Sequence, residues 1–214
     1  MKNNIKDDKY LTIADHYGKC LQQYGDSHRG VDWPRAEDAN KRYQIMLDVF
    51  KKDPSENITL LDFGCGTSHL FGYMQQKDYK HIQYSGLEIL NKFVETAQKK
   101  YPQNTYYCLD ILTRGTKDLP AFDYIVMNGV FTQKLELPFE EMFCFLKDIL
   151  EKIFPHTKKG IAFNVMSKQV DWEQKGNFYL GFDVLGEYLT KHLSRNFIIR
   201  HDYGLYEYTV YVYK

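Results

Sequence analysis

A short apolar segment that ends in two closely spaced glycines constrains this chain more than any other feature. Residues 58–63 form a mainly apolar run, which predicts a buried strand of a parallel sheet. Gly64 and Gly66 follow, and apolar residues then recur at helical spacing from Leu70. Glycines at such a turn allow backbone angles that a side chain would forbid and let a ligand approach the free N–H groups of the next helix. The segment therefore predicts an α/β fold with a nucleotide site at this turn.

The residues around the two glycines indicate which kind of nucleotide the turn fits. A dinucleotide site requires a third glycine in a G-x-G-x-x-G pattern, and His69 stands at that position. An acid, Asp62, lies two residues before the first glycine. A carboxylate there repels pyrophosphate and suits an ammonium or sulfonium group. This D-x-G-x-G arrangement resembles the first motif of the class I S-adenosylmethionine-dependent methyltransferases; the alternative is a glycine turn without a ligand.

The order of predicted elements over the whole chain is also similar to that family. Two helices come first, then five strands that alternate with helices, and finally two strands close enough to form a hairpin. The resemblance implies a seven-stranded, mainly parallel Rossmann-like methyltransferase sheet with helices on both faces and an antiparallel last strand. We expect a single methyltransferase domain over residues 1–214, with an N-terminal helical lid at 1–56 and the core at 57–214.

Polar or flexible residues follow the predicted strands, at the edge where open α/β sheets bind ligands. Glu88 ends the second strand, and a carboxylate there can accept both hydroxyls of a ribose and repels a phosphorylated one. The resemblance implies that Asp110 accepts the adenine amino group and that Ile111 packs on the ring. Asn128 and Gly129 are expected to border the sulfonium. Each residue alone is compatible with an ordinary turn, so the prediction depends on their recurrence at successive strand ends.

The loop between the two N-terminal helices, residues 25–34, supplies further candidates. His28 is the first candidate for a general base, with His16, His69 and His201 as alternatives. Arg42 is a candidate partner of the methionyl carboxylate or of an anionic acceptor, and Trp33 is expected to pack on the cofactor or the acceptor. The predicted cofactor-binding set is Asp62, Gly64, Cys65, Gly66, Glu88, Ile89, Asp110, Ile111, Asn128, Gly129, Arg42 and Trp33. The cofactor is S-adenosyl-L-methionine and its product S-adenosyl-L-homocysteine.

Composition excludes several other classes of protein. Lys and Arg together number 28, as do Asp and Glu, so no net basic charge attracts a nucleic acid. No apolar run approaches the length of a membrane span, and the first residues are polar and charged. The four cysteines contain no C-x-x-C pair and predict reduced thiols in a cytoplasmic protein, with neither a disulfide framework nor a metal site.

The acceptor is predicted only from weaker resemblances. Residues 128–131 lack the prolines of the N/D-P-P-Y/F motif of DNA and protein-amide N-methyltransferases, and the acid that catecholate enzymes use for a metal is missing. Residues 25–34 and 128–131 resemble small methyltransferases of bacterial surface-polysaccharide gene sets. That resemblance implies polysaccharide biosynthesis, with methyl transfer to an oxygen or nitrogen of a sugar, nucleotide-sugar or phosphate-linked small molecule. The loop at 167–178 is expected to help choose the substrate.

Three alternatives remain open at this stage. The first is an NAD-type oxidoreductase or epimerase on a related sheet, and the second is a non-catalytic subunit that binds S-adenosylmethionine without turnover. The third is an RNA methyltransferase, which a steep salt dependence of nucleic-acid binding would support. The sequence is compatible with a monomer or a homodimer.

Overall fold

One mixed sheet organises the molecule in the computed structural model, which describes residues 8–77 and 79–214. Its strands are β1 (Ile58–Phe63), β2 (Ile82–Glu88), β3 (Thr105–Cys108), β4 (Phe122–Phe131), β5 (Thr157–Ser167), β6 (Tyr179–Leu180), β7 (Phe197–Arg200) and β8 (Glu207–Tyr213). The helices are α1 (Leu11–Tyr24), α2 (Ala36–Leu47), α3 (His69–Gln76), α4 (Asn91–Lys100), α5 (Phe139–Ile153) and α6 (Phe182–His192).

The strand order is β3-β2-β1-β4-β5-β8-β7, and β6 pairs beside the end of β5. Strands β1 to β6 pair in parallel, whereas β8 lies antiparallel between β5 and β7. The predicted Rossmann-like sheet with an antiparallel last strand is therefore confirmed. The short strand β6 is an addition, because a two-residue pairing leaves no apolar periodicity in a sequence.

The sheet is buried on both faces, which explains the nearly continuous apolar runs of its central strands. Two adjacent residues of β1 show this, because successive side chains of a strand point to opposite faces. Leu60 packs in a core with α2 and α3, while Leu61 packs in a larger core with α5 and α6. The two N-terminal helices differ in their positions. Helix α2 buries Met46 and Leu47 in the smaller core, whereas α1 directs Ile13 and Tyr17 toward the larger one.

Three local predictions are corrected by the structure. Strand β4 does not end at Asn128 but continues to Phe131. The register with β5 shifts after Met127, and pairing resumes at Phe131, which lies opposite Val165. The sequence predicts Asp183 as the cap of the sixth helix and Pro34 in the first turn of the second. In the structure Gly181 precedes α6, which begins at Phe182, and α2 begins at Ala36, two residues after Pro34. Within residues 8–77 and 79–214, no helix has both the length and the apolar character needed to cross a membrane.

Candidate functional site

A cavity of about 1130 Å³, including its open mouth, lies at the carboxyl ends of β1, β2 and β4. Helix α1 and the loop that follows it form its other wall, through Tyr10, Tyr17, Val31 and Trp33. The cavity brings together every predicted cofactor-binding residue except Arg42. The candidate base His28 is not among the residues that line it.

The glycine turn after β1 is held close to β2 by its own backbone. The N–H groups of Gly64 and Cys65 both donate to the carbonyl of Leu87, at 2.8 and 3.1 Å. Gly64 has φ +73°, and a Cβ there would lie 2.8 Å from Cγ2 of Val130. A side chain at this position therefore meets both a strained backbone and a blocked space.

Asp62 lies buried at the end of β1, where its Oδ2 accepts a 2.8 Å hydrogen bond from the Tyr84 hydroxyl. Burial raises the pKa of Asp62 to about 7, and the negative charge of Glu88 adds to the increase, while the Tyr84 hydrogen bond opposes it. A positively charged ligand in the cavity would stabilise the ionised form of Asp62.

Glu88 joins the end of β2 to the glycine turn. Its Oε2 accepts the N–H of Gly66 at 3.1 Å, and its Oε1 accepts the N–H groups of Ile89 and Leu90 at 2.7 and 3.2 Å. Burial raises the pKa of Glu88, and the three N–H donors counteract that increase. Because a carboxylate offers about four acceptor positions, one on Oε2 is left for a ligand hydroxyl.

Asp110 connects the end of β3 to the beginning of the chain. Its Oδ2 accepts the hydroxyl of Tyr10 at 2.6 Å, and its Oδ1 accepts the N–H of Leu112 at 2.9 Å. The Tyr10 ring stacks on Phe145 with centroids 5.5 Å apart. Asp110 thus fixes the residue that precedes α1 against the cavity, a role that the sequence does not reveal. Its predicted contact with adenine stays a prediction.

The irregular part of β4 carries an amide without a protein partner. Both side-chain polar atoms of Asn128, Oδ1 and Nδ2, are buried, and no hydrogen-bond partner for them occurs in the part of the chain that the structure describes. Buried amides are nearly always hydrogen-bonded. Because Asn128 lines the cavity, a polar group of a ligand is the natural partner for its side chain.

Gly129, the next residue, is held by a chain of buried polar groups that sequence analysis missed. Its N–H donates to Oδ1 of Asn164 at 2.7 Å, and Nδ2 of Asn164 donates to Glu207 at 2.9 Å. Nε of Arg42 donates to the other oxygen of Glu207 at 2.8 Å. The Arg42 guanidinium lies over the Trp33 ring, 5.2 Å from its centroid, and this ring in turn faces Gly129.

Arg42 therefore takes a different place from the one predicted, since it binds Glu207 and does not line the cavity. A signal for this chain of contacts is present in the sequence. Asn164 interrupts the apolar strand β5, and Glu207 begins a strand rich in tyrosine and valine. Polar residues inside buried strands usually have a specific partner, but the sequence does not reveal which one.

The histidines are distributed differently from the prediction. His28 contributes its carbonyl to the loop turn, accepting the N–H of Trp33 at 2.8 Å. His69 lines the cavity, and its Nε2 lies 2.7 Å from Asp26. Burial lowers the pKa of His69, as does the positive charge of Lys100. His201 lies against the rings of Phe182 and Tyr208 and is not among the cavity residues.

Asp26 fastens the loop between α1 and α2 to the other side of the cavity. Besides His69, it accepts hydrogen bonds from Thr67 at 2.6 Å and from Lys100 at 2.6 Å. Val31 of the same loop lies over Gly66, 3.4 Å from where a Cβ would be. The loop thus covers the glycine turn.

Acidic side chains predominate over basic ones in the lining of the cavity. Three carboxylates line it, from Asp62, Glu88 and Asp110, whereas its lining within the described chain includes neither lysine nor arginine. Such a site suits a ligand that carries positive charge and hydroxyl groups. It offers no cationic side chain to a pyrophosphate.

The loop after β5 lies beside the end of β4 rather than on the cavity. The N–H of Phe178 donates to the carbonyl of Thr132 at 2.8 Å, and Trp172 is 71% exposed. None of residues 167–178 lines the cavity. A role of this loop in substrate selection stays a prediction.

Comparison with known proteins connects this geometry to one family. Residues 61–153 match a family model described as a methyltransferase domain. The chain is 25% identical over 171 residues to Rv1506c of Mycobacterium tuberculosis, a protein that carries the name of a methyltransferase; the match covers 79% of this chain and 99% of that protein.

Solved structures show the same fold. Magnesium protoporphyrin IX methyltransferase from Synechocystis PCC 6803, solved with bound S-adenosylmethionine, has a TM-score of 0.65 and 14% identity, covering 99% of this chain and 100% of that chain. The plantazolicin methyltransferase BpumL, solved with S-adenosylhomocysteine and a substrate analogue, has a TM-score of 0.60 and 12% identity, covering 96% and 98%.

Proposed function

We propose that this chain is a class I S-adenosylmethionine-dependent methyltransferase, and that it transfers a methyl group from S-adenosylmethionine to a small-molecule acceptor. The observation that carries the proposal is the cavity at the glycine turn, which is lined by three carboxylates and by neither lysine nor arginine among the described residues. S-adenosylmethionine has a sulfonium, an ammonium and an unphosphorylated ribose, and these groups complement such a lining.

The residues present fit that molecule at three points. Asp62 offers a buried carboxylate for positive charge. Glu88, fixed by three backbone N–H groups, keeps an acceptor position for a ribose hydroxyl. Asn128 offers a buried amide whose two polar atoms have no partner in the described chain.

When bound, S-adenosylmethionine supplies a methyl group that is already activated by the positive sulfur. The protein then has to align the acceptor with that carbon and exclude water. In our proposal, α1 and the following loop exclude water by closing the outer wall of the cavity with Tyr10, Tyr17 and Trp33. Asn164 and Glu207 fix the backbone of Gly129 at the place where the acceptor would enter.

For the acceptor, we propose a carbohydrate, in line with the sequence resemblance described above. Aromatic side chains on the cavity wall, including Tyr17, Trp33 and Tyr43, offer flat faces on which a sugar ring can stack. A phosphate group would find no lysine or arginine among the described lining residues, so an uncharged sugar fits better than a phosphorylated one. The two structural neighbours are methyltransferases of magnesium protoporphyrin IX and of plantazolicin.

The experiment that tests the cofactor is calorimetric titration of the full chain with S-adenosylmethionine, S-adenosylhomocysteine and NAD. We expect micromolar binding of the first two and none of NAD, because NAD brings a pyrophosphate into an acidic cavity. Glu88→Ala should weaken binding by about tenfold or more, since a hydrogen bond involving a charged group contributes about 1.5–3 kcal/mol.

The matched control is Glu187→Ala, because Glu187 is an exposed glutamate on α6 whose side chain pairs only with Lys191 among the described residues. It should bind like the wild type. Binding of NAD in place of S-adenosylmethionine, or equal affinity in both variants, would overturn the proposal. Release of S-adenosylhomocysteine with a panel of neutral and phosphorylated sugars then separates an enzyme from a subunit that binds without turnover.

A further inference from the structure

Three donor side chains of different chemistry meet between α1 and the loop that follows it. Nε2 of His16 lies 2.9 Å from Oδ2 of Asp32 and 3.7 Å from Sγ of Cys20. All three donor atoms lie within 4.8 Å of one another. We propose that His16, Cys20 and Asp32 bind a divalent transition-metal ion, with Zn²⁺ as the best chemical fit.

The local structure explains how these residues come together. His16 and Cys20 are four residues apart on α1 and therefore share one face of the helix. Asp32 ends the short turn Arg29–Val31 and has φ +57°, a left-handed conformation that is unusual for a residue other than glycine. Its N–H donates to the carbonyl of Arg29 at 3.0 Å. This turn brings the carboxylate back to the face of α1 that carries the other two donors.

Two of the three distances between donor atoms can be compared with those of a tetrahedral zinc site. Zn–N bonds of about 2.0–2.1 Å and Zn–S bonds of about 2.3 Å place a nitrogen and a sulfur ligand roughly 3.6 Å apart, and a nitrogen and an oxygen ligand roughly 3.4 Å apart. The observed His16–Cys20 distance of 3.7 Å agrees with the first value. The His16–Asp32 distance of 2.9 Å has to lengthen by a few tenths of an ångström, which a rotation of the half-exposed Asp32 side chain can provide.

The donor set selects among metals. Imidazole, thiolate and carboxylate ligands together favour zinc and its neighbours in the transition series, whereas Mg²⁺ and Ca²⁺ prefer sites made of oxygen alone. Three protein ligands leave a fourth position for water. Binding releases the thiol proton of Cys20 to solvent, and the resulting thiolate and the Asp32 carboxylate balance the charge of a divalent ion.

Without a metal ion, His16 pairs with Asp32 at 2.9 Å, and Cys20 has a long sulfur hydrogen bond of 3.7 Å to the same Nε2 atom. A thiol is only a weak hydrogen-bond partner. A metal ion between the three side chains would be coordinated by all of them at once.

The site would join two segments of the cavity wall. Tyr17 follows His16 in α1, and Val31 and Trp33 flank Asp32 in the loop; all three line the cavity. A bound metal ion would therefore fix α1 to this loop beside the cofactor cavity without itself entering the cavity. The inference does not depend on the proposed function, because metal binding can be measured without any substrate.

The test uses the full chain without a histidine tag, freed of metal with a chelator and titrated with Co²⁺. Co²⁺ shares the ligand preferences of Zn²⁺ and is visible by absorbance. We expect one Co²⁺ per chain, a thiolate-to-cobalt charge-transfer band, and displacement by Zn²⁺. The band should disappear in Cys20→Ser and persist in Cys108→Ser, since Cys108 is an exposed cysteine on β3.

His16→Gln and Asp32→Asn should each weaken Zn²⁺ binding by at least about tenfold, with circular dichroism and thermal unfolding in the presence of chelator reporting that these variants fold. Absence of a charge-transfer band in the wild type, or its persistence in Cys20→Ser, would overturn the proposal and leave an ion pair with an adjacent thiol. Such a failure would leave cofactor binding measurable, so the two proposals can fail separately.

Discussion

At the scale of single residues, Gly64 is the clearest case in which the glycine motif has a structural reason. We predict that Gly64→Ala destabilises the fold by about 2–4 kcal/mol, since it adds a clash with Val130 to the strain of a positive φ. It should also abolish binding of S-adenosylhomocysteine. Both quantities can be measured by urea unfolding and calorimetry.

Gly115 supplies the matched control, because it has nearly the same φ, +75°, and a Cβ there would meet nothing within 4 Å. Gly115→Ala should therefore cost only the backbone strain, about 1–2 kcal/mol, and leave ligand affinity unchanged. Equal losses in the two variants would show that the contact with Val130 does not matter.

Asp62 gives a prediction about pH. Its pKa is 3.8 in the unfolded chain and about 7 in the folded protein, because burial disfavours the charged form. Between these values the folded protein holds a proton that the unfolded chain has lost, so stability decreases as the pH rises from about 4 to about 7. Asp62→Asn should reduce that decrease by about 4 kcal/mol, since the shift spans roughly three pKa units and one unit corresponds to about 1.4 kcal/mol.

Thermal unfolding across this pH range measures the effect, with the exposed Asp171→Asn as a control that should follow the wild type. If the stability of Asp62→Asn and of the wild type changed in parallel with pH, the prediction for Asp62 would be contradicted. A positively charged ligand should also bind more tightly to the wild type as the pH rises through about 7, because it needs the ionised form of Asp62.

At the scale of elements, Arg42 and Glu207 connect α2 to β8. The Arg42 side chain is only 15% exposed and that of Glu207 is 1% exposed, so removal of one partner leaves a buried charge without compensation. We predict that Arg42→Met destabilises the protein by about 3 kcal/mol. Glu207→Gln should also destabilise the protein, because its amide offers one oxygen to two donors, Arg42 and Asn164.

Arg35, just before α2, is the control on the same segment. Its ion pair with Glu37 is exposed on both sides, at 67% and 87%, so Arg35→Met should change stability by less than about 0.5 kcal/mol. Chemical denaturation measures the loss of unfolding free energy in Arg42→Met and in Arg35→Met. Similar small losses in both would mean that the Arg42–Glu207 pair contributes no more than a surface pair.

The elements also show what a sequence can and cannot reveal. Strand β1 and the start of α3 follow from the apolar run, the two glycines and the helical spacing after Ser68. The continuation of β4 to Phe131 does not, because it depends on pairing with Val165 in a strand more than thirty residues away.

The same limit applies to the site. Glu88 could be assigned because a polar residue at a strand end has a known position in a parallel sheet. Asn164 and Arg42 are connected to each other through Glu207, which is far from both in sequence. His28 is a candidate base from its place in the loop, but it is not among the residues that line the cavity.

At the scale of the whole molecule, a ligand in this cavity touches most of the elements around the carboxyl edge of the sheet. Binding of S-adenosylhomocysteine at one hundred times its dissociation constant should therefore stabilise the fold by about 2.7 kcal/mol. For a chain of this size the melting temperature should rise by roughly 5–10 °C. NAD at the same concentration should produce no shift.

Differential scanning fluorimetry measures these shifts, and Glu88→Ala should reduce the first one while Glu187→Ala preserves it. A rise of equal size with NAD would contradict the acidic character of the cavity as the basis of recognition. Absence of any rise at a saturating concentration would mean that the ligand does not bind the folded state.

The position of β8 between β5 and β7 also determines when the site can form during synthesis. Glu207 leaves the ribosome 165 residues after Arg42, which at about 5–20 residues per second is roughly 8–33 s later. Until then β5 has a bare edge, and Asn164 and Arg42 have no common partner. The nascent chain must therefore remain unaggregated with an incomplete sheet, and its cavity matures only when the last strand is inserted.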